Sequence, residues 1–305
     1  MKYFIGIDGG GTKSDCILTD ENYLILNSVR GGSLNLLNQG TTESANTIQQ
    51  LINTCLNSTT IQLFNIAGIG IGAAGAGRIE DADELSKCLK GLLPDVIKIN
   101  VVSDAEASLE GAFNGKPGCI LISGTGSIIY GKDEKGIMYR CGGYGRILGD
   151  PGSGYSIGRK GLTAAIKEYD HAGSRTAISG LLIEKFQIKS FKEIINAVYK
   201  DKFNIASAAL LVIEAAEMND RTAIKIINEE TDSLLKLISC MIKKLKTDSL
   251  DIVLTGSLIS KENSFSFVLK EKIAGIFKQV NIKQPEYPPA AGAIIIMNRV
   301  KAGEI

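Results

Sequence analysis

Two glycine-rich segments of the sequence contain the residue types of a phosphate-binding turn. Residues 9–13 read Gly-Gly-Gly-Thr-Lys, and residues 123–127 read Ser-Gly-Thr-Gly-Ser. Each segment lies between two short apolar runs, which predicts a β-hairpin with the glycines at its tip. Glycines leave backbone N–H groups open to an anion, and each threonine adds a hydroxyl donor. The sequence therefore predicts two hairpins that bind one polyphosphate.

Two other nucleotide-binding patterns are visible, and both are weaker. Residues 9–13 come close to a P-loop or a Rossmann loop, but both of these need a helix directly after the glycines. Residues 14–19 instead form a short apolar run that predicts a strand. Residues 70–75 match G-x-G-x-x-G, with Asp104 as a later acidic residue. Three predicted strands precede this match, whereas the Rossmann fingerprint marks the first βα turn. We expect these glycines to permit tight backbone packing.

Two aspartates follow predicted strands, where carboxylates in αβ sheets tend to face the ligand crevice. Asp8 ends the first strand and suits an outer-shell ligand of Mg²⁺, which usually keeps several waters. Its alternative role is to cap a turn. Asp104 ends a later strand and opens a helix. It suits a general base that accepts a hydroxyl proton during phosphoryl transfer, or alternatively a helix N-cap.

Three further segments have the composition of binding loops. Residues 141–158 mix many glycines with Tyr144, Arg146 and Asp150, so that backbone donors, a flat aromatic ring and a carboxylate suit a hydroxyl-rich ligand. Residues 30–40 read as a loop whose polar side chains face a ligand. Residues 255–260 follow a predicted strand, precede a helix and would suit an adenosine.

The elements that must position these residues occur in two similar sets. Residues 1–115 predict the order β-β-β-α-β-α-β-α, and residues 116–289 repeat its beginning before a largely helical insert at about 155–247. The third strand of each set is expected at 23–26 and 137–140, and the second set ends with strand 251–255, helix 265–277 and strand 279–282. The C-terminal helix 290–305 is expected to join the first set. This pattern predicts an α/β protein with two mixed lobes.

Composition narrows the function classes. The 305 residues suit two domains, and 34 Lys and Arg against 33 Asp and Glu give no basic excess for nucleic acid or an anionic membrane. No apolar run reaches the ~18–20 residues of a membrane span, and the chain reaches Asp8 too early for a signal peptide. Six scattered cysteines without a C-x-x-C pair indicate a reduced cytoplasmic protein. One histidine, His171, argues against zinc sites and Ser-His catalysis.

The motifs together resemble those of the N-acetylglucosamine kinases, within the BadF/BadG/BcrA/BcrD-type ATPases of the sugar kinase–actin–heat-shock ATPase superfamily. The resemblance covers essentially the whole chain, and the motifs occur in family order at residues 8–13, 103–105, 123–127, 141–145, 149–150 and 255–257. It implies an α/β, actin-like ATPase fold in which two ribonuclease H-like lobes close on Mg·ATP and an amino sugar, with the helical insertion in the second lobe. Whether the chain forms a homodimer stays open.

The resemblance also implies individual roles. Asp104 would be the base for the 6-hydroxyl of N-acetylglucosamine. The residues that would bind ATP are Gly10, Gly11, Thr12, Lys13, Thr125, Gly126, Ala215, Gly256 and Ser257. The residues that would bind the sugar, besides Asp104, are Asn35, Ser127, Gly143, Tyr144, Gly145 and Asp150.

Three positions depart from the family pattern. Ile128 stands where animal members carry Asn, Tyr144 replaces their Trp, and Pro151 replaces the Glu of Gly-Asp-Glu-Gly-Ser. The first two touch the expected N-acetyl pocket, so kinases of glucosamine or N-acetylmuramate are alternatives. Two other classes also stay open: an iron–sulfur activator ATPase, for which Cys141 lacks a convincing second cysteine, and a sugar sensor without turnover.

Overall fold

The computed structural model describes residues 2–302 and divides the chain into two compact units. The first unit contains the residues up to Gly118 together with those from Gln284 onward, and the second unit contains Cys119–Lys283. The elements before the second unit are β1 (Tyr3–Gly9), β2 (Ser14–Thr19), β3 (Ile25–Gly31), α1 (Leu36–Asn57), β4 (Ile66–Ala73), α2 (Ile79–Lys90), β5 (Lys98–Ser103) and α3 (Asp104–Phe113).

The remaining elements include the helical insert. They are β6 (Gly118–Ser123), β7 (Ser127–Lys132), β8 (Met138–Gly142), α4 (Gly145–Leu148), α5 (Gly154–Tyr169), α6 (Ala177–Phe186), α7 (Phe191–Tyr199), α8 (Ala209–Glu217), α9 (Arg221–Leu245), β9 (Leu250–Thr255), α10 (Ser264–Ile276), β10 (Val280–Lys283) and α11 (Pro289–Ala302). Short 3₁₀ turns at Leu63–Asn65 and Ile205–Ala208 complete the described elements.

The two sheets share one strand order, which confirms the predicted internal repeat. The first sheet runs β3-β2-β1-β4-β5 and the second runs β8-β7-β6-β9-β10. In the first sheet β1 and β2 are antiparallel, whereas β1, β4 and β5 are parallel. In the second sheet β6, β9 and β10 are likewise parallel. The glycine-rich segments connect β1 to β2 and β6 to β7, as the hairpin interpretation predicts.

The glycines of β4 are explained by close helix packing. A Cβ built on Gly70 would collide with the backbone of Ala293 in α11, and one on Gly72 would lie 2.5 Å from the Ala107 side chain in α3. Both helices therefore approach the sheet more closely than a larger residue would allow. This confirms that the G-x-G-x-x-G match reflects tight backbone packing.

Several element boundaries differ from the sequence predictions. The third strands were expected at 23–26 and 137–140 but are Ile25–Gly31 and Met138–Gly142. The segment 30–40 is not wholly a loop, because α1 begins at Leu36 and is broken at Gly40, where φ is 77°. The segment 141–158 likewise contains the short helix α4.

Each unit has its own core. In the second unit, α9 is amphipathic and buries Ile226, Ile227, Leu234, Leu235 and Ile238 against the sheet and neighbouring helices. The first unit buries a separate cluster around Ile5, Ile7, Ile69 and Ile71. All six cysteines are free thiols. Among the described helices, none is long and apolar enough to cross a membrane.

Candidate functional site

The first glycine turn is held in place through its carbonyl oxygens. The Gly10 N–H donates to the Lys13 carbonyl oxygen (3.0 Å), which closes the turn. From the following segment, the Leu34 N–H donates to the Gly10 oxygen (2.9 Å) and the Ser33 hydroxyl to the Gly11 oxygen (2.9 Å). Gly11, Thr12 and Lys13 are exposed. The turn thus presents donors to solvent on a fixed backbone, the property that anion binding requires.

Asn35 lies beside this turn. It is the N-cap of α1, and its Oδ1 accepts the Leu37 N–H (3.0 Å). Asn35 also bridges to Ala74 at the end of β4, and a Cβ built on Gly11 would lie 3.7 Å from Asn35 Nδ2. Within residues 2–302, that Nδ2 group donates no hydrogen bond to protein. The amide is therefore oriented by its oxygen and keeps its donor available.

The Asp8 carboxyl group has more negative than positive charge near it. It lies at the end of β1, opposite Asp15 on β2. Burial raises the pKa of Asp8 to about 7, the negative charges of Asp104 and Asp15 add to this rise, and Lys13 opposes it. The environment would favour a bound cation. The described residues contain no cluster of three or more His, Cys, Asp or Glu side chains that could enclose a metal ion.

Asp104 is the first residue of α3 and is not its cap. Ser103 is the N-cap: its Oγ accepts the Glu106 N–H (3.2 Å), and Glu106 accepts in return from the Ser103 N–H (3.1 Å). The alternative interpretation of Asp104 as an N-cap is therefore wrong. Asp104 Oδ1 accepts the Ala105 N–H (2.9 Å), and burial raises its pKa despite the backbone hydrogen bonds that lower it.

The sequence interpretation missed Asp15 and included Arg30 only as the first residue of the 30–40 loop. They are paired across β2 and β3, and Arg30 Nε lies 2.7 Å from Asp15 Oδ1. Together with Asp8, they line a cavity of about 370 Å³ that also includes Ser28 and the start of α11 at Pro289. The signal that could have revealed Arg30 is its two-residue spacing from Ser28, which places both side chains on one face of β3.

Protonation of Asp8 predicts a pH dependence of stability. Between about pH 4 and 7 the folded metal-free protein holds a proton that Asp8 in the unfolded chain has lost, because the ordinary pKa is 3.8. The free energy of unfolding should therefore fall as pH rises through this range. Asp8→Asn should make that fall smaller, and the raised pKa values of Asp104 and Asp150 should account for the part that remains. Chemical denaturation at several pH values in EDTA measures both proteins, and equal slopes in this range would contradict the assignment.

The second glycine turn, residues 123–127, is hydrogen-bonded to the glycine-rich segment 141–158, called the Gly-rich loop below. The Gly124 N–H donates to the Gly126 oxygen (2.9 Å), and the Gly154 N–H donates to the Gly124 oxygen (2.7 Å). Thr125 is exposed at the tip. Ser127 is 3% exposed, and its hydroxyl donates to the Pro151 oxygen (2.6 Å). Its side chain therefore supports the loop in this structure.

The Gly-rich loop combines an exposed ring with a buried carboxyl group. Tyr144 is 61% exposed, and the Arg140 guanidinium lies 5.1 Å from its ring centroid. Gly143 and Gly145 have positive φ angles of 71° and 82°. Asp150 is 7% exposed and accepts the Gly145 N–H (3.2 Å) through Oδ1, and burial raises its pKa against the opposing effect of that bond.

The segment after β9 lies next to the second turn. Gly256 has φ 94°, and a Cβ there would collide with the Ser123 carbonyl oxygen. A Cβ on Gly124 would lie 3.7 Å from Ser257 Oγ. The structure thus brings two predicted nucleotide segments together. Ala215 lies in α8 within the core and is fully buried, so it has no surface for a nucleoside here.

The chain is similar to known proteins along nearly its whole length. An N-acetylmuramic acid/N-acetylglucosamine kinase of Clostridium acetobutylicum is 34% identical over 97% of this chain and 98% of its own length. An N-acetyl-D-glucosamine kinase of Dictyostelium discoideum is 28% identical over 96% of this chain and 97% of its own length. A solved Chromobacterium violaceum protein, provisionally described as an N-acetylglucosamine kinase, has a TM-score of 0.79 at 20% identity, covering 97% of this chain and 99% of its own.

These likenesses identify the fold and the family. The two five-stranded sheets with flanking helices, together with the structural likeness, confirm the predicted α/β actin-like ATPase fold. The sequence profile of one family matches residues 5–296, almost the whole chain. Since the match spans both units and a relative is 34% identical along 97% of the chain, the protein belongs to the BadF/BadG/BcrA/BcrD ATPase family.

Proposed function

We propose that the protein is an ATP-dependent amino-sugar kinase that transfers the γ-phosphoryl group of ATP to the 6-hydroxyl of N-acetylglucosamine. The observation that carries this proposal is the state of Asp104. Asp104 is the first residue of α3. Because Ser103 caps this helix, the Asp104 carboxyl group does not serve as the cap. Burial raises the pKa of Asp104. A carboxylate with these properties suits a general base, since catalysis is most effective when the base pKa approaches the working pH.

The residues present fit ATP and Mg²⁺. The Thr12 and Thr125 side chains are exposed on turns whose backbones are fixed by other hydrogen bonds. Asp8 faces two other carboxylates, and its raised pKa indicates a lack of positive charge that a divalent cation would correct. A single carboxylate suits Mg²⁺, which keeps several waters. When bound, Mg²⁺ would neutralise phosphate charge.

In the proposed reaction each residue has a defined task. Asp104 accepts the proton of the sugar hydroxyl as the hydroxyl oxygen attacks the γ-phosphorus, the bond from that phosphorus to the β,γ-bridging oxygen breaks, and ADP leaves. Asn35 orients the sugar through its free Nδ2 donor. The phosphate oxygens of ATP accept hydrogen bonds from both glycine turns. The donors are Gly10, Gly11, Thr12 and Lys13 on the first turn and Thr125 and Gly126 on the second.

The other contacts go to the nucleoside and to the sugar. Gly256 and Ser257 contact the nucleoside. Tyr144 and Asp150, with Gly143 and Gly145, contact the sugar.

The identity of the sugar is the least constrained part of the proposal. Relatives named as kinases of N-acetylmuramic acid and N-acetylglucosamine support an N-acetylated substrate. Ile128 and Tyr144 differ from the animal pattern at the expected N-acetyl pocket, so glucosamine and N-acetylmuramate are the alternatives. An activator ATPase or a sugar sensor is a second class, and neither would release ADP in proportion to sugar.

A coupled assay of ADP release tests the proposal. The purified protein is supplied with Mg·ATP and, one at a time, glucose, glucosamine, N-acetylglucosamine, N-acetylmannosamine or N-acetylmuramate. We expect ADP release that depends on an amino sugar and is fastest with N-acetylglucosamine. ADP release that is equal with and without every sugar would support an activator ATPase, and no release would support a sensor.

Thr125→Val tests the assignment of the second turn. Valine keeps the β-branched shape and removes the hydroxyl, so folding should survive. A hydrogen bond to a charged group contributes about 1.5–3 kcal/mol, so the apparent KM for ATP should rise by about tenfold or more. The KM for sugar should change little. Thr163→Val, on the exposed face of α5, makes the same chemical change elsewhere. A raised sugar KM with unchanged ATP KM would reverse the assignment.

A further inference from the structure

A buried glutamate in the helical insert is bonded to the Gly-rich loop. Glu230 lies in α9 and is 2% exposed. Its Oε2 accepts the N–H of Gly152 (2.5 Å), and its Oε1 accepts the hydroxyl of Ser156 (2.8 Å). Lys160 Nζ lies 3.0 Å from the same Oε1. Burial of a carboxylate is unfavourable unless it is well paired, and these partners satisfy both of its oxygens.

The loop peptides held by Glu230 are also held from the second sheet. The Ser123 hydroxyl donates to the Gly152 oxygen (2.7 Å), and the Ser127 hydroxyl donates to the Pro151 oxygen (2.6 Å). Both serines flank the second glycine turn. Gly152 has φ 74°, and a Cβ there would collide with Leu234, one helical turn beyond Glu230. The Gly152 peptide is therefore clamped between α9 and the base of that turn.

Asp150 lies two residues before the clamped Gly152 peptide. It has a left-handed φ of 61°. A Cβ built on Gly126 would lie 2.9 Å from Asp150 Oδ2, so the carboxyl group rests directly against the second turn. Asp150, the second turn and Glu230 thus belong to one contact network, in which Glu230 is the more deeply buried of the two carboxyl groups.

We propose that Glu230 is a positioning residue for the kinase reaction, and this inference rests on the function proposed above. Through its hydrogen bond from the Gly152 N–H, Glu230 fixes the loop that contains Asp150 relative to the turn that contains Thr125. Its own oxygens are fully used by Gly152, Ser156 and Lys160. Displacement of reacting groups by about 1 Å can lower a rate by ~10²-fold, so loss of the clamp should lower turnover and, through Thr125, also raise the KM for ATP.

Three substitutions separate the hydrogen bond from the charge. Glu230→Ala leaves the Gly152 N–H buried without a partner, and Glu230→Asp keeps the charge but shortens the reach by one methylene. Glu230→Gln keeps an acceptor oxygen for Gly152 and removes the charge, while Lys160 retains Glu229 at 2.7 Å. The matched control is Glu229→Ala, because Glu229 is the neighbouring residue, binds the same lysine and makes no bond to the loop.

We expect kcat at saturating ATP and N-acetylglucosamine to fall by about tenfold to a hundredfold in the Ala and Asp variants. The Gln variant and Glu229→Ala should stay near wild type. Each kcat is calculated for the folded fraction, measured by thermal unfolding. If folded Glu230→Ala keeps wild-type kcat, Glu230 is only structural. If the Asp variant is active and the Gln variant is not, charge rather than the Gly152 bond matters. Either result overturns the proposal.

A second measurement keeps the two proposals distinguishable. If wild-type protein phosphorylates no sugar, the proposed function fails, and amide hydrogen exchange then tests the clamp alone. Exchange across residues 150–156 should be at least tenfold faster in Glu230→Asp, which retains the charge and is expected to fold, than in Glu229→Ala. Equal exchange in the two variants would show that Glu230 does not hold this loop.

Discussion

Asp104→Asn is expected to lower turnover by roughly two to four orders of magnitude. A sugar hydroxyl is a poor nucleophile near neutral pH, and one positioned general base typically contributes ~10²–10⁴-fold in rate. Asparagine has nearly the same size but cannot accept the proton. ATP should still bind, because the predicted phosphate donors lie on the two glycine turns. Steady-state kinetics with saturating N-acetylglucosamine measures the effect.

The same substitution should leave the fold intact, which makes the rate interpretable. Ser103 and Glu106 form the cap of α3, and the amide oxygen of an asparagine can still accept the Ala105 N–H. Asp95→Asn, at an exposed position of the first unit, is the matched control. If Asp104→Asn phosphorylates sugar at near wild-type rate, the base must be another group, and Asp150 is the first to examine.

Gly256→Ala is expected to cause the largest loss of stability. At φ 94° a residue with a Cβ is strained by ~1–2 kcal/mol, and here the new methyl group would also collide with the Ser123 carbonyl. Overpacking typically adds ~1–3 kcal/mol, so the free energy of unfolding should fall by about 3 kcal/mol. ATP affinity should fall too, because Ser257 would be displaced. Denaturant unfolding and nucleotide titration measure these effects.

Gly136→Ala supplies the control that isolates the collision. Gly136 has φ 81°, and a Cβ built there meets no atom within 4 Å. It should therefore lose only the ~1–2 kcal/mol of left-handed strain and keep wild-type ATP affinity. If both alanine variants lose the same stability, the close approach of Gly256 to Ser123 contributes nothing and the predicted packing of this segment is wrong.

The sequence predicted the parts of the fold that depend on local patterns. Glycine turns between apolar runs predicted both hairpins, and the strand-to-helix transition placed Asp104 at the start of α3. The third strand of the first unit was predicted at the wrong residues because much of β3 is polar and lacks an apolar run. Tyr23 takes φ 63° in a turn where Asp20 accepts two backbone N–H groups, and β3 begins only at Ile25.

Contacts between distant residues could not be predicted in this way. The Ser127 hydroxyl was expected at the sugar but bonds to Pro151, 24 residues away. Glu230 bonds to Gly152 across 78 residues, and in sequence it is one more acidic residue of an amphipathic helix. Ala215 was assigned to the nucleoside by resemblance, whereas packing of α8 buries it fully. Such hydrogen-bond partners and burial depend on tertiary packing, which the hydrophobic periodicity of a sequence does not specify.

Identification of the phosphorylated product tests whether the protein transfers phosphate to the sugar 6-hydroxyl. The protein is incubated with Mg·ATP and N-acetylglucosamine, and the product is examined by phosphorus–proton correlation NMR. We expect a phosphate ester coupled to the two C6 protons of the sugar, formed in proportion to ADP and nearly absent with Asp104→Asn. Inorganic phosphate with unmodified sugar, or a phosphate coupled to the C1 proton, would contradict this expectation.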